Sequence, residues 1–93
     1  MIIYKDEQFI KSLDSILDYI AKDGLDYAIS FNRKLKKAIE IIPHFPYKAR
    51  KSFYHNSENI RDFIFKGYTI PYLIDNQNNK IVLLDIFKWI DRK

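Results

Sequence analysis

The spacing of apolar residues changes character midway along the chain, and that change constrains the fold more than any other feature. Before Pro43, apolar side chains recur at intervals of three and four; beyond Glu58 they come in short blocks separated by turn residues. The first spacing is that of amphipathic helices, and the second is that of strands. Helices grouped ahead of strands do not build an alternating, parallel α/β sheet. They build an α+β domain, with the helices on one face of a mainly antiparallel sheet.

The individual segments support this. Ile2-Ile3-Tyr4 is a short β-prone opening. Asp6 is placed to cap a helix, and Phe9, Leu13, Ile16, Leu17 and Ile20 form its apolar stripe, with Lys11, Asp14, Asp18 and Lys22 facing elsewhere. Gly24 suits a left-handed stop. Asp26 is placed to cap a second helix with Ala28, Phe31, Leu35, Ala38, Ile39 and Ile42 on one side, and Arg33, Lys34, Lys36, Lys37 and Glu40 on the other. Pro43 cannot continue the ladder and ends it. Two helices joined by so few residues form an antiparallel hairpin.

Residues 43–58, PHFPYKARKSFYHNSE, read as a loop. Strands are expected at Ile60–Phe65, Tyr68–Ile74 and Ile81–Phe87, with Lys66-Gly67 as a tight turn and Asp75–Asn79 as a polar one. Pro71 lacks an N–H, so it requires an edge, a bulge or an outward amide. The expected architecture is one domain over residues 1–93: a helical hairpin packed on a four-stranded sheet in the order β-α-α-β-β-β. The sheet's other face is expected to be partly solvated and to gather Tyr, Arg and Lys.

Charge sharpens the functional reading. Of 16 Lys+Arg and 12 Asp+Glu, the excess of four positive charges falls entirely in residues 47–93. A basic half steers toward nucleic acid or an acidic protein. Fifteen aromatics, seven Tyr, seven Phe and one Trp, exceed what charge alone implies, and most lie beyond residue 44. Most must fill the core, while exposed ones beside cations suit stacking or partner anchoring.

Several chemistries drop out. Cysteine is absent, which removes disulfides and thiolate sites. No apolar run reaches the roughly 18 residues of a membrane span, and MIIYKDEQF turns charged too early for a signal peptide. A cytoplasmic domain is the expectation. No phosphate loop, zinc spacing, GxSxG or HExxH string occurs. His44 and His55 share no third ligand at regular spacing, so neither metal nor cofactor is expected. Metal-free RNA cleavage needs cations and a proton-transfer group. Arg50, Lys51, Arg61, Lys66, Lys88 and Arg92 can supply the cations, and Glu58, His55 or a tyrosine the proton-transfer group. Arg61 should share a face with Phe63 and Phe65. Trp89, amid Lys88, Arg92 and Lys93, has the makeup of a partner hot spot.

Four stretches carry a family likeness: FIKSLDSILDYI, IIPHFPYKAR, NIRDFIFKGYTIPYLID and KIVLLDIFKWID. In their order and spacing the chain resembles the RelE/ParE superfamily of bacterial type II toxins over nearly its full length. The resemblance implies a toxin neutralised by a wrapping antitoxin in a hetero-oligomer, with no membrane role. It also implies one of two targets: the ribosome, where RelE-like members cut mRNA, or DNA gyrase, which ParE-like members poison without cutting RNA. Departures favour ParE. Thr69 stands where RelE-like nucleases typically carry Arg after the Gly-Tyr step, and the tail from Lys88 lacks tyrosine. Pro46, Arg50 and the Ile86-Phe87 ending look ParE-like. The expected target-binding residues are Arg50, Lys51, Arg61, Lys88, Trp89 and Arg92. The alternatives are a ribosome-dependent nuclease, with Arg61, Lys88, His55 and Glu58 in its site, and a non-toxic binding module.

Overall fold

The structure, a computed structural model, describes residues 1–88. Its elements run β1 (Ile2–Lys5), α1 (Glu7–Ala21), α2 (Leu25–Ile39), a 3-10 turn (Ile42–His44), β2 (Arg50–Lys51), β3 (Ile60–Phe65), β4 (Tyr68–Asp75), β5 (Lys80–Leu83) and β6 (Phe87–Lys88). The expected two-layer α+β architecture is present. The sheet has six strands rather than four, because the two-residue β2 and β6 join it, and its path runs β1-β5-β4-β3-β2 with β6 also against β4. Every pairing is antiparallel except that of β1 with β5.

Asp6 caps α1 as its position predicts, its carboxylate accepting from Gln8 N at 2.9 Å. Gly24 differs from expectation. It is the N-cap of α2, at φ 148° and ψ 133°, and Asp26 sits inside the first turn instead of capping it. A Cβ at Gly24 would lie 3.1 Å from Cδ2 of Tyr27, so the sharp corner between the helices uses both the backbone freedom and the missing side chain. Helix α2 closes at Ile39, ahead of Pro43, which sits within the 3-10 turn. Pro43 has no N–H to donate to the Ile39 carbonyl four residues back and its ring crowds that position, so the α-helical ladder stops ahead of it.

Lys66 and Gly67 both take positive φ, 49° and 85°, as the two-residue turn between β3 and β4 demands. Pro71 resolves as a bulge. Its carbonyl accepts from Leu84 N at 2.8 Å. In an antiparallel strand the N and O of one residue face the same neighbour, so the missing N–H also points at the β5 side. There the chain breaks register: Tyr72 pairs with Leu83 but Thr69 with Phe87, so Leu84, Asp85 and Ile86 stand opposite only Ile70 and Pro71. The expected strand over Ile81–Phe87 is therefore two strands around a bulge. Ser12 Oγ donates to Asp85 Oδ1 at 2.6 Å, tying that bulge to α1.

The core lies between the helices and one sheet face. Phe9 of α1 and Leu35 and Ile39 of α2 meet Tyr68, Ile70, Tyr72 and Ile74 of β4, with Ile81 and Leu83 of β5. Among the described residues no helix is long and apolar enough to cross a membrane.

Candidate functional site

The register decides where the cations go. Arg61 lies opposite Tyr72, and Phe63 opposite Ile70, so Arg61 shares the helix-covered face with Phe63 and Phe65, as its position in the strand predicts. Lys51, opposite Arg61, belongs to that face too, and so does Lys88, opposite Tyr68. The outer face carries a cross-strand row of Tyr4, Val82, Leu73 and Ile60 instead. Its charged strand residues are Lys80 opposite Asp75 and Arg50 opposite Asp62, which balance. The expectation of an open, cation-bearing outer face is thus overturned, because side chains alternate and the odd-numbered cations of β2 and β3 point inward. Part of that face is also covered. Tyr54 packs edge-on against Phe87 with ring centroids 5.3 Å apart, and Asp62, Thr69 and Pro71 beneath are buried.

The positive charge instead collects at one corner, where the segment after the 3-10 turn meets β2 and β3. Arg61 organises it. Its Nη1 donates to the carbonyls of Ala49 at 3.1 Å and Tyr47 at 3.3 Å, and its Nε donates to that of Glu58 at 3.1 Å. Its guanidinium lies 5.0 Å from the Tyr47 ring centroid. With a side chain only 15% exposed, Arg61 holds the loop from beneath. The Tyr72 hydroxyl adds a second tie, donating to the Pro46 carbonyl at 2.5 Å. Burial pushes that hydroxyl up to about 12, against the opposing pull of Arg61. At the rim, Tyr47 donates to Asn59 Oδ1 at 3.1 Å and accepts from Asn76 Nδ2 at 2.9 Å.

Above this frame stand Lys48, Arg50 and Lys51. The Arg50 guanidinium covers the Phe53 ring at 4.5 Å, and its Nε is 3.8 Å from Asp62 Oδ2. Lys51 pairs with Glu58 at 3.1 Å, across an exposed surface. Phe45, Ile41, Phe53 and Ile64 are all exposed around the same corner. Exposed aromatic and aliphatic side chains among cations make a surface suited to a macromolecular partner.

The site residues expected from the sequence thus divide. Lys51, Glu58 and Arg61 come together on the helix-covered side of the corner, whereas Arg50 is paired with Asp62 on the outer side and His55 is joined to Ser52. Lys88 does not join them, for Tyr68 and Tyr72 stand four residues apart on β4, about 13 Å along the strand. Its Nζ lies 5.6 Å from the Tyr68 ring instead. A phosphate held jointly by Arg61 and Lys88 has no basis in this geometry. His55 is joined to Ser52 Oγ at 3.2 Å, and the Glu58 carboxylate is shared between Lys51 and Arg61. Thr69 is fully buried. Trp89 and Arg92 lie outside the described residues. Among those described, no group of three potential ligands is placed to hold a metal ion. Sequence reasoning did not single out Tyr47, Lys48 or Phe45, and the signal available was the density of aromatics and cations in FPYKARK.

Over residues 3–88 the sequence matches a family described as ParE toxin of type II toxin-antitoxin system, parDE. The chain belongs to the ParE toxin family. No curated protein sequence matches it. Among solved structures, a chain of the chromosomal ParDE TA system from P. aeruginosa superimposes with a TM-score of 0.77 at 13% identity, covering 95% of each chain. A metal-bound toxin from Helicobacter pylori gives a TM-score of 0.69 at 17% identity, covering 100% of this chain and 99% of that one. The conserved protein HP0892 of Helicobacter pylori gives 0.53 at 18% identity, over 98% and 97%. At these identities the structural likeness establishes the fold. Family membership makes the chain a type II toxin-antitoxin protein and implies an antitoxin partner.

Proposed function

We propose that the chain is a toxin that inhibits DNA gyrase by binding, without bond chemistry of its own, and that a cognate antitoxin silences it in a cytoplasmic hetero-oligomer. The observation that carries this reading is the state of Arg61. Backbone carbonyls take its Nε and Nη1 donors and the Glu58 carboxylate stands 3.9 Å from its Nη2, so it braces a contact surface instead of waiting for a scissile phosphate. In this reading Arg50 and Lys51 face the target, and Arg61 positions them. Lys88, at the other end of the sheet, makes a second contact, and Trp89 and Arg92, outside the described residues, are assigned to target binding on their sequence alone.

For the antitoxin, the reading uses the groove between the helical hairpin and the sheet, about 530 Å³ and lined by Ser12, Ile16, Tyr19, Tyr68 and Ile86. An acidic antitoxin segment suits a toxin of net charge +4. Purified protein added to gyrase is expected to stall supercoiling and to raise cleaved DNA. No effect at stoichiometric excess overturns the reading, and so do codon-phased mRNA cuts on translating ribosomes.

A further inference from the structure

Strand β2 is only two residues long, and where it leaves β3 the edge of the sheet opens. Ser52 N donates to the Ile60 carbonyl at 2.9 Å, so the polar groups of Ile60 face β2. Alternation along the strand puts the N–H and C=O of Asp62 and Ile64 on that same side. Arg50 pairs with Asp62, but no described strand residue pairs with Ile64 on that side. The chain that would have continued the pairing turns away at Lys48, whose N–H goes to the Phe45 carbonyl at 3.1 Å.

A cavity of about 360 Å³ occupies the gap, with Ile41, Ile42, Phe45, Phe63 and Tyr72 among its lining and Ile64 on its wall. Lys48 stands at its rim, its Nζ 5.8 Å from the Phe45 ring, and no carboxylate is paired with it among the described residues. Asp62 also lines the cavity; its Oδ2 takes Arg50 and the Phe53 N–H while its buried Oδ1 has no hydrogen-bond partner among the described residues, and the exposed charges at the mouth are the cations Lys48 and Arg50.

We propose that this notch receives an extended segment of a partner protein with alternating apolar and acidic residues. Three features specify the occupant. The open N–H and C=O of Ile64 call for a strand, the apolar cavity for an aliphatic or aromatic side chain, and Lys48 for a carboxylate. The segment adds to β3 beyond the end of β2. This inference goes beyond the gyrase reading, and its test contains no gyrase, so either can fail alone.

The test is a titration of the full-length, isotope-labelled protein with a capped octapeptide alternating valine and glutamate, followed by amide NMR and hydrogen exchange. Saturable binding that slows exchange at Ile64 by about tenfold or more is expected. Lys48→Glu, which alters an exposed side chain, should weaken binding about tenfold. Ile64→Pro, which removes the outward N–H at an edge where proline is tolerated, should do the same. Absence of saturable shifts up to about 1 mM peptide, protection confined to β1, or equal binding of the peptide with lysine in place of glutamate would each overturn the proposal. If Ile64→Pro fails to fold, an unchanged affinity in Lys48→Glu is sufficient to reject it.

Discussion

Arg61 and Tyr47 are joined twice over: the guanidinium packs on the tyrosine ring at 5.0 Å and donates to the same residue's carbonyl at 3.3 Å. A buried-side arginine thereby fixes the backbone of a loop that has no regular structure of its own. Arg61→Lys keeps the charge but loses the planar fork, and is expected to cost about 2 kcal/mol. Urea denaturation measures that loss. Amide exchange should speed at Lys48 and Ser52 while the amides of α1 stay unchanged.

The bond from Tyr72 to Pro46 carries a pH signature. The hydroxyl is held near 12 by burial, above its ordinary value of 10.0. The folded state therefore favours the neutral phenol. Its contribution is complete below pH 10 and is lost as pH rises through about 12. Tyr72→Phe should lower stability at neutral pH by about 1 kcal/mol and flatten the alkaline limb of a stability-against-pH profile. An alkaline limb unchanged in the variant would assign it to other groups.

Gly24 sets the corner between the helices. Gly24→Ala forces φ 148° on a side-chain-bearing residue and drives a Cβ to 3.1 Å from Tyr27. A loss of about 1–3 kcal/mol is expected from the backbone strain. Gly24→Ala combined with Tyr27→Ala should recover only the part due to the contact, as a double-mutant cycle would read directly.

Lys51 and Glu58 form an exposed pair, so Lys51→Glu should change stability by less than about 1 kcal/mol. Under the gyrase reading the same change should weaken inhibition about tenfold. Arg33→Glu with Lys37→Glu, on the exposed face of α2, should leave inhibition unaltered. Supercoiling titrations of the variants compare the two.

Much of this architecture can be read in the sequence because it rests on local physics. The apolar stripes of α1 and α2, the capping by Asp6, the positive-φ turn at Lys66-Gly67 and the inward face of Arg61 all follow from spacing. Pro71, lacking a donor, calls for an edge, a bulge or an outward amide, and the register shows the bulge in the strand opposite it. What spacing does not encode is pairing between distant segments. The strands β2 and β6 are two residues each and carry no period, and the parallel match of β1 with β5 is settled by the core. The corner at Tyr47–Lys51 escapes for the same reason. Its cations are visible in the sequence, but the carbonyls that hold Arg61 belong to backbone whose path only the fold determines. Cation-rich strands also suggested an outer face that the register then denied.

The pairing of Ile2 with Lys80 has a consequence for the nascent chain. The N-terminal strand leaves the ribosome first, yet its place in the sheet does not exist until β5 has been synthesised and has docked on β4. Completing the sheet must therefore wait until Lys80–Leu83 has been translated. A truncated product ending before Lys80 would leave Ile2–Lys5 without its strand partner, so an interrupted translation should release an inert fragment rather than a working poison.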